Sequence, residues 1–447
     1  MDQKEMMRVG KQLLRHAKSA GATDAVVSVD TSTERSVTVR DGVLDDVAFS
    51  SSAGFMVTAI VGNRRGYASS SSFENDDLAR TAKEAVLSAL QVSGNKHVRL
   101  ARPDEWPCGV EELPGRIAQL DRCDGSLPPT LKELKMRALA LDRCACAFPG
   151  IARSEGTSFG FQSDMSVQLL SNGFSVVSPS TQYSKSTSVI AEKAGEMKSS
   201  SHWHMATHCA DLMGDEECAR RAGEYAVKQL GARSIKTEAM PVLFDKRVSP
   251  RLLGAFFGAI SGERVYQKET FLLDHLGSRI FRDDVRIIEQ PHLPRRLGSE
   301  LFDDDCVKTT PWTLSDQGRL MMWATSIESA SKLGLHSSTG HASGALNLLL
   351  CPSMNSLDEL IRKIDRGFLV TDLMGRGTNI ATGAYSVGAE GFLIEHGEIV
   401  RAVNKVTIAG NLLAMFRNMI PADDCSDNPY GANAPSCLID EMMVAGD

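Results

Sequence analysis

"RSVTVRDGVLDDVAFS", residues 35–50, decides the fold class. Asp41-Gly42 sits between runs rich in Val, Thr and Ala, and an Asp-Gly pair supplies the positive φ of a two-residue hairpin turn. Upstream, "DAVVSVD" (24–30) reads as a further strand. Downstream, "GFMVTAIVGNRRGYASSS" (54–71) carries a second turn in "GNRRG". Two helices flank these hairpins. Met6, Val9, Leu13, Leu14 and Ala17 repeat at helical spacing, and "SFENDDLARTAKEAVLSAL" (72–90) opens on acidic residues that suit the positive end of a helix dipole. Hairpins with helices to cover one face give an α+β pattern.

The rest of the chain extends that pattern. Residues 96–129 hold five of the sixteen prolines and little periodicity, and read as a loop-rich surface connection. A helix is expected at about 130–147, then a strand meander over 151–213 with a hairpin at "SNG" (171–173), then a helix that Gly231 stops. A second half begins with the short strand "MPVLFD" (240–245). "SPRLLGAFFGAISGERV" (249–265) follows as a helix, with Ser249 as N-cap and Pro250 in its first turn. The expected architecture is a mixed N-terminal domain of antiparallel strands and helices, residues 1–234, and a strand-rich, barrel-like C-terminal domain, residues 235–447.

The formal net charge of −7 argues against direct nucleic-acid binding, which needs a basic face. The compact basic cluster Pro294-Arg295-Arg296 is too short to count as a polybasic segment. No window approaches the 18 apolar residues of a membrane span, and the N-terminal stretch has no signal-like apolar run, so a cytoplasmic protein is expected. Ten cysteines without a Cys-x-x-Cys pair read as reduced thiols.

Three stretches invite a chemical reading. "SHWHMATHC" (201–209) brings His202, His204 and His208 close in sequence, and i, i+2 positions on a strand share a face that could grip one metal ion. The plainer alternative is a strand whose polar face happens to carry imidazoles. "HSSTGHASGA" (336–345) offers Ser338, Thr339, Gly340 and His341 as small and polar residues to line a peptide cleft, or simply a connecting loop. "EHGE" (395–398) resembles a metal motif. Strand-like flanks instead place His396-Gly397 at the tip of a two-residue turn. The acidic run Asp303–Asp305 reads as a solvated face, and "GRGTNIATG" (375–383) is a weak phosphate signal.

Several of these stretches resemble the TldD/PmbA family, and within it the PmbA (TldE) branch. The likeness rests on "SVTVRDGVLDDV" (36–47), "SGERVYQKETFLLDHLGSRI" (261–280), "GFLVTDLMGRGTN" (367–379), "ATGAYSVGAEGFLIEHGEI" (381–399) and "VTIAGNLLAMFRNM" (406–419), in order along nearly the whole chain. The resemblance implies a cytosolic two-subunit metalloprotease acting on unfolded or small peptides, a family also labelled as a modulator of DNA gyrase. Its metal-bearing TldD branch carries His-Glu-x-x-x-His on the helix that opens the second half, and a cysteine ligand near the C-terminus. In "LLGAFFGAISGE" (252–263) the matching positions are Gly254, Ala255 and Ala259, none of which binds a metal. Cys437 lies in the corresponding terminal segment. The implied chain therefore has no zinc of its own and works beside a TldD-type subunit that carries it. Alone, it could pair with a second copy. Two alternatives stay open: a metallopeptidase in its own right through His202, His204 and His208, or a non-enzymatic interaction protein acting on gyrase or on a toxin–antitoxin system.

Overall fold

The computed structural model describes residues 1–426 and 431–446, and the architecture below is that of these residues. The N-terminal strands are β1 (Asp24–Arg40), β2 (Val43–Val61), β3 (Arg64–Ser70), β4 (Ile151–Leu170), β5 (Ser175–Lys193) and β6 (Glu196–Ala206). They form one antiparallel sheet in the order β3-β2-β1-β4-β5-β6, curled into a half-barrel.

Turn chemistry sets its register. Arg40 pairs with Val43 across Asp41 (φ 48°) and Gly42 (φ 76°), and Val61 pairs with Arg64 across Gly62 and Asn63. The separate short strands expected from the sequence merge here. "DAVVSVD" and "RSVTVR" are one 17-residue strand, and "VLDDVAFS" and "GFMVTAIV" one 19-residue strand. Ser and Thr in the middle of each run, though polar, fit a pleated surface that is only half buried.

Four helices cover this sheet: α1 (Gln3–Ser19), α2 (Asn75–Gln91), α4 (Leu131–Cys146) and α5 (Asp215–Lys228), with α3 (Leu113–Gln119) in the connecting segment. Met6, Val9, Leu13 and Ala17 of α1 meet Val27, Val29 and Val57 of the sheet and Ala82 and Ala85 of α2 in one core. Contact is close enough that a Cβ on Gly66 of β3 would lie 2.1 Å from the backbone N of Ala89 in α2.

The connection over 96–129 is not a plain surface loop. Ala101 and Leu113 are fully buried against Phe174 of β5's approach and against Cys306, Val307 and Ile327 of the second half. Glu105, buried, holds Arg99 by two hydrogen bonds of 2.6 Å and accepts from the Arg102 backbone at 2.8 Å. Sequence periodicity is blind to such a segment because its apolar residues serve a partner surface rather than one face of a regular element.

The second half adds β7 (Glu238–Phe244), α6 (Pro250–Ala259) and α7 (Gly262–Gln267), then β8 (Ile287–Glu289), β9 (Trp312–Asp316), β10 (Arg319–Leu320), α8 (Ile327–Lys332) and β11 (Leu348–Leu350). It ends with α9 (Leu357–Arg362), β12 (Arg366–Met374), β13 (Ala384–Glu395), β14 (Glu398–Asn411), α10 (Leu412–Asn418), β15 (Ile420–Pro421) and β16 (Cys437–Ala445). The expected barrel is present: β14-β13-β12-β7-β16 closes on itself through β14–β16, with β7 parallel to β12. Closure removes exposed sheet edges. Phe244, Phe368, Val370, Val387 and Ile408 fill the barrel interior, and Leu252, Leu253 and Phe256 of α6 join the same core.

Two local expectations change. The helix from Ser249 does not run through "ERV" but ends at Ala259, and α7 starts after Ser261. Ser249 precedes the helix without capping it: its hydroxyl accepts no N–H of the first turn.

Candidate functional site

Helix α6 holds Gly254, Ala255 and Ala259, the three positions matched above to a zinc motif. Pro250 starts it with its fixed φ. Leu252, Leu253, Phe256 and Ala259 are buried in the barrel core. A Cβ on Gly254 would meet nothing within 4 Å, Ala255 is half-buried, and the Ala259 carbonyl accepts the Thr270 hydroxyl at 2.7 Å. This donor set does not fit a zinc ion, since it offers no imidazole, thiolate or carboxylate. Cys437, at the start of β16, is buried, and burial pushes its thiol well above the usual range. Its Sγ donates to the Pro435 carbonyl at 3.3 Å.

The histidines of 201–209 are divided. His202 and His204 lie on β6, paired with Thr187 and Lys185 of β5 and sharing a face. His204 Nδ1 accepts the Met213 N–H at 3.2 Å. His208 falls beyond the strand end, buried, with Nδ1 2.9 Å from the Thr207 hydroxyl and Nε2 3.4 Å from Asp121. Among the described residues no group of three His, Cys, Asp or Glu side chains is placed to hold a metal ion.

Ser338, Thr339, Gly340 and His341 turn inward. The Ser338 hydroxyl donates to the Thr325 carbonyl at 2.8 Å, and Thr339 accepts the Thr325 N–H at 2.7 Å. Gly340 (φ 76°) has the Lys308 carbonyl 2.5 Å from where a Cβ would sit. His341 Nε2 is 2.6 Å from Glu289 Oε2 in the interior. The same network takes in Asp303 and Asp305 of the acidic run and leaves Asp304 exposed, so the run is only in part a solvated face. Asp303 is buried and accepts the backbone N–H groups of Asp305, Val307 and Ala342, while Asp305 accepts that of Ile327. Burial and the neighbouring Asp305 outweigh those N–H groups and push the Asp303 carboxyl up to about 7.

His202 and His204 instead face a groove between α5 and the barrel. Two adjoining cavities, about 760 and 670 Å³, share His202, Arg221, Tyr225, Lys246, Arg247 and Thr371 as walls. The Arg247 guanidinium lies 3.8 Å from the Tyr225 ring centroid, and the Tyr225 hydroxyl donates to that of Thr371. Burial raises the Tyr225 hydroxyl above its ordinary range, against the pull of the Arg247 charge. At the floor, Asp245 accepts the Arg247 N–H at 2.8 Å, and burial holds its carboxyl above the usual range. The apolar part of the groove comes from Leu369 and Phe392 of the barrel and from Ile361 of α9. The groove is thus cationic at the rim and apolar within. Sequence reading missed Arg247 and Tyr225. The available signal was the pair Lys246-Arg247 directly after the buried strand "MPVLF".

Comparison with known proteins agrees with this architecture. Three family models match in succession: PmbA/TldA metallopeptidase domain 1 at residues 25–89, the central domain at 126–230 and the C-terminal domain at 237–446. The metalloprotease PmbA of Escherichia coli O157:H7 is 35% identical over 441 residues, covering 97% of this chain and 94% of that one. The chain belongs to the PmbA/TldD metallopeptidase family.

Further members place it toward PmbA. A metalloprotease PmbA homolog of Haemophilus influenzae is 31% identical over 451 residues, 99% of this chain and 98% of its own. A crystal structure from Bacteroides thetaiotaomicron, described as a candidate modulator of DNA gyrase, superposes with a TM-score of 0.89 at 25% identity, covering 100% of both chains. TldE from Thermococcus kodakarensis shares the fold, with a TM-score of 0.81 at 21% identity over 98% of this chain and 100% of that one. Among the described residues no helix is long and apolar enough to cross a membrane.

Proposed function

We propose that this chain is the PmbA/TldE-type subunit of a two-subunit peptidase, holding an unfolded or small peptide near a zinc ion that a TldD-type partner contributes. The observation that carries this reading is α6. Leu252, Leu253 and Phe256 pack it into the barrel core, while Gly254, Ala255 and Ala259 offer no group that could bind a metal or move a proton. A scaffold of 447 residues retained without metal donors on that helix makes sense as one wall of a shared cleft. We place the division between its two halves at residues 234 and 235, and its working compartment in the cytoplasm.

A second feature supports a partner. The distal half of β2 has no strand on its outer side among the described residues. There Val43, Val47 and Phe49 are 68%, 45% and 62% exposed. An apolar, unpaired strand edge is an association surface. In the absence of a TldD-type chain the same surface is open to a second copy. The reading of His202, His204 and His208 as one metal site gains no support from their placement.

Metal content and association test the proposal together. The chain purified alone from chelator-free buffer should hold far less than one zinc per chain, and a mixture with a TldD-type protein should elute as one complex carrying zinc. Stoichiometric zinc in this chain that is lost on His202→Ala with His204→Ala would overturn it. So would failure of the two proteins to associate under any condition.

A further inference from the structure

Arg251, Arg376 and Tyr385 wall a cavity of about 400 Å³ beside Ala255 of α6, distinct from the α5 groove though Arg251 borders both. Tyr385 is 4% exposed, yet its hydroxyl has no hydrogen-bond partner among the described residues. Leaving a buried hydroxyl unpaired is costly, so the position calls for a ligand acceptor. The ring is fixed edge-on to Phe244, with centroids 6.3 Å apart. Burial keeps the hydroxyl protonated by raising it above its ordinary range, while the nearby Arg251 charge pulls the other way. It is therefore a donor, and Arg251 is its neighbour.

Backbone contacts place both arginines at the cavity. Arg251 donates to the Leu373 carbonyl at 2.8 Å, and neither it nor Arg376 forms an ion pair among the described residues. Arg376 rides on a loop strapped to β13. Ser386 N–H donates to the Gly377 carbonyl at 2.7 Å, and Thr378 bridges Tyr385. A Cβ at Gly377 would lie 1.5 Å from the Ser386 carbonyl oxygen, so only glycine allows the strap to lie that close.

Two guanidiniums and a phenol O–H make a donor-rich set with no carboxylate beside it, which matches a planar oxyanion. Beside Thr378, the remaining wall has an apolar part from Leu373, Ile380 and Val387, which favours a carboxylate that carries a hydrocarbon side chain over a free inorganic ion. We propose that this cavity binds the C-terminal carboxylate of a peptide, with Arg251, Arg376 and Tyr385 on the carboxylate and the last side chain on the apolar wall. The assignment rests on the peptide-handling reading for the identity of the ligand. Binding itself needs no partner subunit.

Calorimetric titration of the full chain with Ala-Ala-Leu, its C-terminal amide and inorganic phosphate tests this. The free acid should bind, and the amide at least about tenfold more weakly. Tyr385→Phe, which loses only an unpaired hydroxyl, and Arg376→Gln, at an exposed position, should each weaken the acid by about tenfold and leave the amide unchanged. Thermal melts would show that both variants fold. Equal binding of acid and amide, no binding of the acid, insensitivity to both substitutions, or tighter binding of phosphate than of the acid would overturn the proposal. Discrimination between acid and amide without any peptidase activity in a two-protein mixture would keep this inference and sink the subunit reading. Activity without such discrimination would do the reverse.

Discussion

His341 Nε2 lies 2.6 Å from Glu289 Oε2, with 1% and 2% of the two side chains exposed. The imidazole also meets the Thr339 hydroxyl at 2.8 Å through Nδ1, and the other Glu289 oxygen accepts the Leu346 N–H. These bonds tie β8 to the polar loop after α8. Sequence had left that loop open between a cleft lining and a plain connection. In the fold it is a buried polar network, whose members are costly to unpair.

Glu289→Ala should therefore destabilise by about 3 kcal/mol or more, since it strands an imidazole and a backbone N–H in the interior. Urea unfolding at neutral pH measures this. A loss under about 1 kcal/mol would show that the network is not buried as described.

Glu105 makes the packing of the connecting segment testable by pH. Burial alone would raise its carboxyl, but hydrogen bonds from Arg99 and the Arg102 backbone, with the charges of both arginines, leave it net below the usual range. A folded-state value depressed below the unfolded one, about 4.3, adds stability that is present above that pH and lost as pH falls through the folded value. Glu105→Gln should cost about 2 kcal/mol at pH 7, with the gap to wild type closing below about pH 4. Melting curves across pH 3 to 7 decide it, and a pH-independent gap would contradict the assignment.

Gly397 tests the turn chemistry. It follows His396 (φ 53°) with φ 78°, and Glu395 pairs with Glu398 across the two. A Cβ there would also lie 2.9 Å from the Arg362 backbone. Gly397→Ala should destabilise by about 1 kcal/mol or more. An unchanged thermal midpoint would refute the type of turn.

What was legible in the sequence follows from what is local. Asp41-Gly42, Gly62-Asn63 and His396-Gly397 announce hairpins because positive φ is a property of single residues, and each lies at a strand reversal. Helices α1 and α2 announce themselves by period. The barrel closure of β14 on β16, the bond from the Ala342 N–H to Asp303 and the cation–π pair of Arg247 with Tyr225 join residues at least 22 positions apart, and no local pattern encodes them. The histidines of 201–209 show the converse: neighbours in sequence part in the fold, because the strand ends at Ala206, ahead of His208.

Peptide cleavage by a reconstituted pair tests the central claim most directly. An unfolded peptide would be incubated with this chain alone, with a TldD-type protein alone, and with both, in each case with and without excess chelator. The account predicts no cleavage by this chain alone, cleavage by the mixture above that of the partner alone, and its abolition by chelator. Cleavage by this chain alone that survives chelator, or a mixture no more active than the partner alone, would contradict it.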